Sequence, residues 1–247
     1  MRTHEANELE WDSEFFGCKC GELNIFSSEE LNVLSDEVEK IKNEYDFLIL
    51  RNIGNNPEVN WWINEHISAA LVDINSSLKL SKDRFDKFSG NKEDFCIAEA
   101  LHFDNQEILT MVSNFKSSRF SNDPHISSEQ TNQLYLNWVR NSEGKPNKKF
   151  CFIVKEKELA GFILFTIDKK NKSINLDLVS TNEKYQGQGI ATGMIGSIIG
   201  FANKNEIDNI TTGTQVNNLQ AINVYIRNGF SISGVSSIYH YWKNEME

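Results

Sequence analysis

The sequence predicts an α/β (α+β) protein, with a mixed, mostly antiparallel sheet around one central βαβ unit and a small α/β domain in front of it. Three observations predict this. Two strand patterns, "KFCFIVKEK" and "ELAGFILFTID", follow one another as a hairpin, and "KKNKS" turns the chain into a third strand, "INLDLVS". That strand runs through a glycine loop into an apolar helix and then another strand, which is the order of a βαβ unit. Strand and helix patterns already alternate in the first ninety or so residues, ahead of these segments.

The elements are justified in chain order. "CGELNIF" alternates as a strand, and "SSEELNVLSDEVEKIKNEY" places Leu31, Leu34, Val38 and Ile41 at helical spacing behind a serine cap. "DFLILR" is a strand. The turn "NIGNNPE" leads to a short helix with Trp61 and Trp62, then to the apolar run "ISAALVDI". The polar loop Ser81 to Asp94 is the expected boundary, giving an N-terminal α/β domain at 1–93 and a second domain at 94–247. The second domain opens with the strand "FCIAEAL" and two helices, "NQEILTMVSNF" and "SSEQTNQLYLNWVRNS", separated by "KSSRFSNDPH". The hairpin and third strand follow, then the helix "IATGMIGSIIGFANKN", the strand "NITTGTQ", the helix "NNLQAINVYIRNG" and two closing strands, "FSISG" and "SSIYHYW".

Composition narrows the function. Twenty-five Lys and Arg against 35 Asp and Glu give a formal net charge of −10. Phosphate-backbone affinity comes from clustered cations, so nucleic acid is not an expected partner. Any anionic ligand must be held locally. The four cysteines, Cys18, Cys20, Cys96 and Cys151, form no disulfide framework and no zinc spacing, so reduced thiols and no metal are expected. The N-terminus lacks an apolar leader core and no segment reaches the ~20 apolar residues that cross a bilayer. A cytoplasmic protein without a membrane partner is the expectation.

The stretch "EKYQGQGIATGM", Glu183 to Met194, sets two glycines two residues apart at the start of a helix. Backbone N–H groups in such a turn, aided by the helix dipole, suit a phosphate. A dinucleotide fingerprint needs a third glycine where Thr192 stands, and the Lys-Ser/Thr pair of a Walker loop is absent. Gln186, Gly187, Gln188, Gly189, Ile190 and Ala191 match the Q/R-x-x-G-x-G/A pattern of the GNAT superfamily of acyl-CoA-dependent N-acyltransferases. Downstream, Asn218, Ala221, Tyr225, Gly229 and Phe230 resemble that superfamily's later helix motif.

The resemblance implies a GNAT fold, acetyl-CoA or another acyl-CoA as donor, and amides of residues 187 to 192 around the coenzyme A pyrophosphate. It further implies that Val179, Ser180 and Thr181 splay from the neighbouring strand to pair with the pantetheine, and that Tyr225 donates a proton to the departing thiolate. Asn218 and Ala221 belong to the same cofactor motif. Read from the residue alone, Tyr225 is an aromatic on an amphipathic helix. Several bases are open. Asp177 and Asn175 share a strand face with Val179, His125 and His240 titrate near working pH, and water is the remaining choice.

For the acceptor, "LEWDSEFFGCKCGELNI", "RFSNDPHISSEQTNQLYLNWVRNS" and "SSIYHYW" together resemble the dTDP-4-amino-4,6-dideoxygalactose (dTDP-fucosamine) acetyltransferase family. This implies a dTDP-linked 3- or 4-amino-dideoxy sugar made for a surface polysaccharide such as O-antigen. Arg119, Phe120, Asp123, His125 and His240 would line the sugar side, although Asp123-Pro124 also suits a turn before a helix capped at Ser127 or Ser128. Trp11 to Gly17 reads equally well as core. A homodimer is an open option. The competing functions are a peptide or protein N-acetyltransferase and a non-catalytic acyl-CoA-binding module.

Overall fold

A computed structural model describes residues 4–29, 31–88, 95–116 and 118–243. The chain divides into two compact units. The first comprises residues 1–76, 118–125 and 234–247, and the second comprises 77–117 and 126–233. The boundary expected after residue 93 falls outside the described residues.

In the first unit, β1 (His4–Glu8), β2 (Cys20–Ile25) and β3 (Phe47–Ile53) pair in that order, β1 antiparallel and β3 parallel to β2. The last strand, β10 (Ser231–Trp242), runs antiparallel to β3 with His240 opposite Ile49. Strand period two divides this sheet into two faces. Leu23, Ile25, Leu48, Leu50, Tyr239 and Tyr241 pack under α2 (Leu31–Glu44) and α3 (Pro57–His66). Cys20, Phe47, Ile49 and Ile238 take the other face with Leu9, Phe16 and Trp242. The helical spacing read for α2 is the one that buries Leu34, Val38 and Ile41.

Two features of this unit were not expected. Residues 4–8 form a strand, and Glu10–Phe16 forms a helix, α1, of which no residue is fully buried. Without a buried face or a side-chain cap, α1 carries no periodic signal. Gly17 ends it at φ 68°, its N–H donating to Ser13 O at 2.9 Å, and the Ser13 hydroxyl accepts from Cys20 N at 2.9 Å.

The second unit has the order β9-β8-β7-β6-β5, formed by β5 (Cys96–Ala98), β6 (Lys148–Lys155), β7 (Glu158–Asp168), β8 (Ser173–Thr181) and β9 (Asn209–Gln215). Every neighbouring pair is antiparallel except β8 and β9, which are parallel and joined by α7 (Ile190–Lys204). This is the expected βαβ unit. Helices α5 (Asn105–Val112) and α6 (Ser128–Ser142) precede the hairpin, the latter capped by Ser127 in a reciprocal box with Gln130. The core gathers Phe165, Ile174 and Leu176 of the sheet with Met194, Ile198 and Ile199 of α7 and Phe230.

The apolar run near residue 70 continues to Ser81 as β4 (Ala70–Ser81), and the expected boundary loop starts as a 3-10 turn followed by α4 (Phe85–Phe88). Phe85 buries there against the second unit's core, which makes this segment structured. The two closing strands are one strand, β10, because Gly234 sits in extended pairing and does not turn the chain.

Candidate functional site

The second unit carries the glycine loop. After a 3-10 turn at Glu183–Tyr185 the chain reaches Gly187 at φ 74° and Gly189 at φ 78°, the latter capping α7. A side chain is strained in this region by about 1–2 kcal/mol. Nothing lies within 4 Å of where a Cβ would stand on either glycine, so their requirement is conformational and the space over the loop is open. The Gly193 N–H closes the first helical bond, to Gly189 O at 2.9 Å. Amides ahead of it have no partner inside the helix and face outward, where the dipole adds partial positive charge. Gln186, Gly187, Gln188 and Gly189 are exposed, Ile190 is buried as the helix's anchor, Ala191 is half-buried, and Thr192 accepts from Asn228 Nδ2 at 3.3 Å.

The parallel ladder of β8 and β9 ends beside this loop's strand. It pairs Ser173 to Leu176 with Asn209 to Thr212, whereas β8 continues to Thr181 and β9 to Gln215. On its other side β8 stays paired with β7 as far as Thr181 opposite Gly161. The register with β7 slips by one at Asp177, a bulge that bends the strand where the ladder stops. Val179 and Thr181 are half-buried, while the Ser180 hydroxyl is buried and donates to Met111 O at 2.8 Å. Val179 offers only backbone to a further partner, and the Ser180 hydroxyl is already committed.

Tyr225 comes from α8 (Leu219–Arg227) and is buried, its ring 5.5 Å from Phe230. Burial raises its pKa above the ordinary phenol value, and a side-chain hydrogen bond with Thr212 acts in the opposite direction. Thr212 is the last residue of β9 paired with β8, and its hydroxyl donates to Leu176 O at 3.2 Å. The phenol is thus brought to the point where the ladder opens. Asn218 uses its side chain as the cap of α8, accepting from Ala221 N at 3.1 Å, and Ala221 packs against the core.

Asp177 accepts from Lys148 Nζ at 3.0 Å and from Asn175 Nδ2 at 2.7 Å, and also binds the Thr166 hydroxyl. It shares a face with Asn175, as the alternation predicts, and three donors hold it. Two residues outside the sequence reading matter here. Thr212 had no signal beyond its strand, and Lys155, whose Nζ lies 3.2 Å from Gln188 Oε1, brings a cation to the loop of an acidic chain.

The remaining predicted residues, Arg119, Phe120, Asp123, His125 and His240, lie in the first unit. Asp123 is 2% exposed. Its Oδ1 accepts from His125 N at 2.9 Å and His125 Nδ1 at 2.8 Å, and its Oδ2 from His240 Nδ1 at 2.6 Å and Trp242 Nε1 at 2.9 Å. Burial works to raise this carboxyl, yet the bonds from His240, Trp242 and the His125 amide hold it well below the usual carboxylate range. Its four lone-pair positions are all taken. Asp123 is therefore buried with no lone pair left over for a further partner. His240 is buried between Phe47, at 4.8 Å edge-on, and Phe120, at 6.1 Å, and the Arg119 guanidinium lies over the Phe120 ring at 4.5 Å.

Among the described residues no cluster of three or more His, Cys, Asp or Glu is placed to hold a metal, and no helix is long and apolar enough to cross a membrane.

Comparison with known proteins gives this geometry a family. The model of the acetyltransferase (GNAT) family matches residues 109–230. The spore coat polysaccharide biosynthesis protein SpsD of Bacillus subtilis (strain 168) is 28% identical over 128 residues, 52% of this chain and 44% of that protein, so the match spans less than half of the relative. Two solved structures share the fold. A conserved protein of unknown function from Staphylococcus epidermidis aligns with a TM-score of 0.66 and 13% identity over 89% of this chain and 84% of its own. A GCN5-related N-acetyltransferase from Sphaerobacter thermophilus aligns at 0.61 and 9% identity over 98% and 77%.

Proposed function

Starting from the fact that residues 109–230 are an acetyltransferase domain of the GNAT family, we propose that the protein is an N-acyltransferase that uses acetyl-CoA or a related acyl-CoA. One observation carries this reading: a loop of two left-handed glycines caps α7 beside a parallel ladder that stops at Leu176 and Thr212, and the Tyr225 hydroxyl is bonded to that same Thr212. The pyrophosphate takes the amides of residues 187 to 192, with Lys155 adding charge. The pantetheine takes the backbone of Val179 to Thr181. Asn218 and Ala221 shape the helix that presents Tyr225.

The acceptor amine attacks the thioester carbonyl, the carbon–sulfur bond breaks, and the thiolate takes a proton from Tyr225. A raised phenol pKa keeps that proton in place until the thiolate forms. The amine's own proton leaves to water, since Asp177 and His125 are both engaged by other groups.

The acceptor we propose is a dTDP-linked 3- or 4-amino-dideoxy sugar destined for a surface polysaccharide, modified in the cytoplasm where acyl-CoA is held. The polysaccharide role named for the SpsD relative supports this class. The test is thiol release from acetyl-CoA and from a longer hydroxyacyl-CoA against a panel of dTDP-3-amino and dTDP-4-amino dideoxy sugars and one peptide amine. Sugar-dependent release is the expected result. Release with the peptide alone, or coenzyme A binding without release from any acceptor, overturns it.

A further inference from the structure

Asp177 is the odd residue of β8. Its predecessor Leu176 pairs with Phe165 of β7 and its successor Leu178 with Leu164, so Asp177 has no place in that register. The parallel ladder to β9 also ends one residue before it, at Leu176 and Thr212. An extra residue reverses the alternation of a strand. Before it, Ile174 and Leu176 belong to the core under α7; after it, Val179 packs on that core and the Ser180 hydroxyl points the other way, to Met111 O of α5. The bulge thus decides which N–H and C=O groups of residues 178–181 are turned to β7 and which to the open side of the ladder.

A bulge interrupts its own ladder, so another tie must fix it. Here the tie is the Asp177 carboxylate. Its Oδ2 accepts from Lys148 Nζ of β6 at 3.0 Å and from the Thr166 hydroxyl of β7, while its Oδ1 accepts from Asn175 Nδ2 at 2.7 Å. Lys148 Nζ also donates to Thr166 Oγ1 at 3.0 Å, and Asn175 Oδ1 accepts from Thr211 Oγ1 of β9 at 3.0 Å. These residues form one rank across the sheet, with Lys148 opposite Thr166, Thr166 opposite Asn175 and Asn175 opposite Thr211. Side chains therefore lace four strands together in the row next to the last pair of the parallel ladder. The Asp177 side chain is 8% exposed and that of Lys148 18%, so solvent ions screen the pair weakly.

We propose that Asp177 is a positioning residue: tied to Lys148 and Thr166, it holds the bulge and so sets where β8 leaves β9 and which of its amides meet the pantetheine chain of the acyl donor. The inference rests on the acyl-CoA reading above. It gives Lys148 and Thr166 a part in donor binding that they exert through the strand, and it takes from Asp177 the part of a base.

The experiment compares the full-length wild type with Asp177→Ala and Lys148→Met, using coenzyme A as the probe in isothermal titration and amide hydrogen exchange on the free proteins. Each variant weakens coenzyme A binding about tenfold, the equilibrium weight of roughly one hydrogen bond. The double variant does no worse than either alone, because both remove one tether, and Lys148→Arg, which keeps a donor, binds as the wild type does. Residues 178–181 exchange at least about tenfold faster in Asp177→Ala while α7 keeps its wild-type rates; where Asp177→Ala does not fold, Lys148→Met carries the test. Loss of protection throughout the domain in Lys148→Met marks a merely destabilised fold and overturns the positioning role. Wild-type coenzyme affinity in both single variants, the result expected of a general base that meets only the acceptor, overturns the inference and leaves the acyl-CoA reading standing. No coenzyme A binding by the wild type overturns that reading and the donor role with it, whereas unaltered exchange at 178–181 overturns the tether alone.

Discussion

The glycine loop of the second unit and the Asp123 network of the first are built from opposite materials. The loop works with backbone: two glycines at positive φ, exposed amides and a helix dipole, with side chains such as Ser180 turned to structural bonds elsewhere. The network works with side chains, four donors converging on one buried carboxylate, drawn from β10 and from a loop more than a hundred residues earlier. The first tolerates most substitutions that respect its dihedral angles. The second tolerates almost none, because each partner lost leaves another buried polar group unsatisfied.

The sharpest way to break the comparison is to remove the carboxylate. Asp123→Ala leaves the buried His240 and Trp242 donors without an acceptor, and each such unmade bond costs about 1–3 kcal/mol. Chemical denaturation should show a lower midpoint at unchanged m-value. A loss within about 0.5 kcal/mol, the size of an ordinary surface change, would mean the network is not what fixes this region. Tyr225→Phe should come next, lowering kcat at least about a hundredfold with little change in the KM for acyl-CoA. Wild-type turnover in that variant removes its role as the acid.

Gly189→Val tests the backbone side of the contrast. The added side chain meets no neighbour but is held at φ 78°, so folding loses about 1–2 kcal/mol and coenzyme affinity falls about tenfold by isothermal titration. Unchanged affinity contradicts the cradle. The pH response sharpens the other side. Burial, the larger influence, pushes the His240 pKa below the ordinary value while the Asp123 bond raises it, and the net direction is down. A histidine depressed in the fold binds more protons when unfolded, so its contribution is intact above about pH 6.5 and is lost as pH falls toward the folded value. Thermal melts should therefore show a steeper decline below about pH 6.5 in the wild type than in His240→Gln, and parallel declines would refute it. The smallest effect is Ser127→Ala at the start of α6, about 1 kcal/mol, with kcat untouched.

The same contrast explains what the sequence revealed. Gly187 and Gly189 announce their loop because only glycine suits those angles, and the spacing survives as text. The parallel unit was legible because β8, α7 and β9 are consecutive. The convergence on Asp123 was not, since Asp123 and Trp242 are 119 positions apart and nothing in a strand pattern tells which indole donates to which carboxylate. Thr212 escaped for a like reason: its meaning lies in being the last paired residue of a ladder. The helix at Glu10–Phe16 lacks a buried stripe, so periodicity passed over it.

The opening of the parallel ladder has a consequence for how this chain behaves among its copies. Strand edges with spare amide and carbonyl groups ordinarily recruit other strands, and long ones nucleate aggregates. Here the divergence of β8 from β9 begins at Leu176 and Thr212 and lasts only to Thr181 and Gln215, a notch inside the sheet whose two walls are parallel to one another. A foreign strand could enter for a few residues and would then meet the closed ladder. The notch is only a few residues deep and closed at one end, so it offers a foreign strand little to pair with.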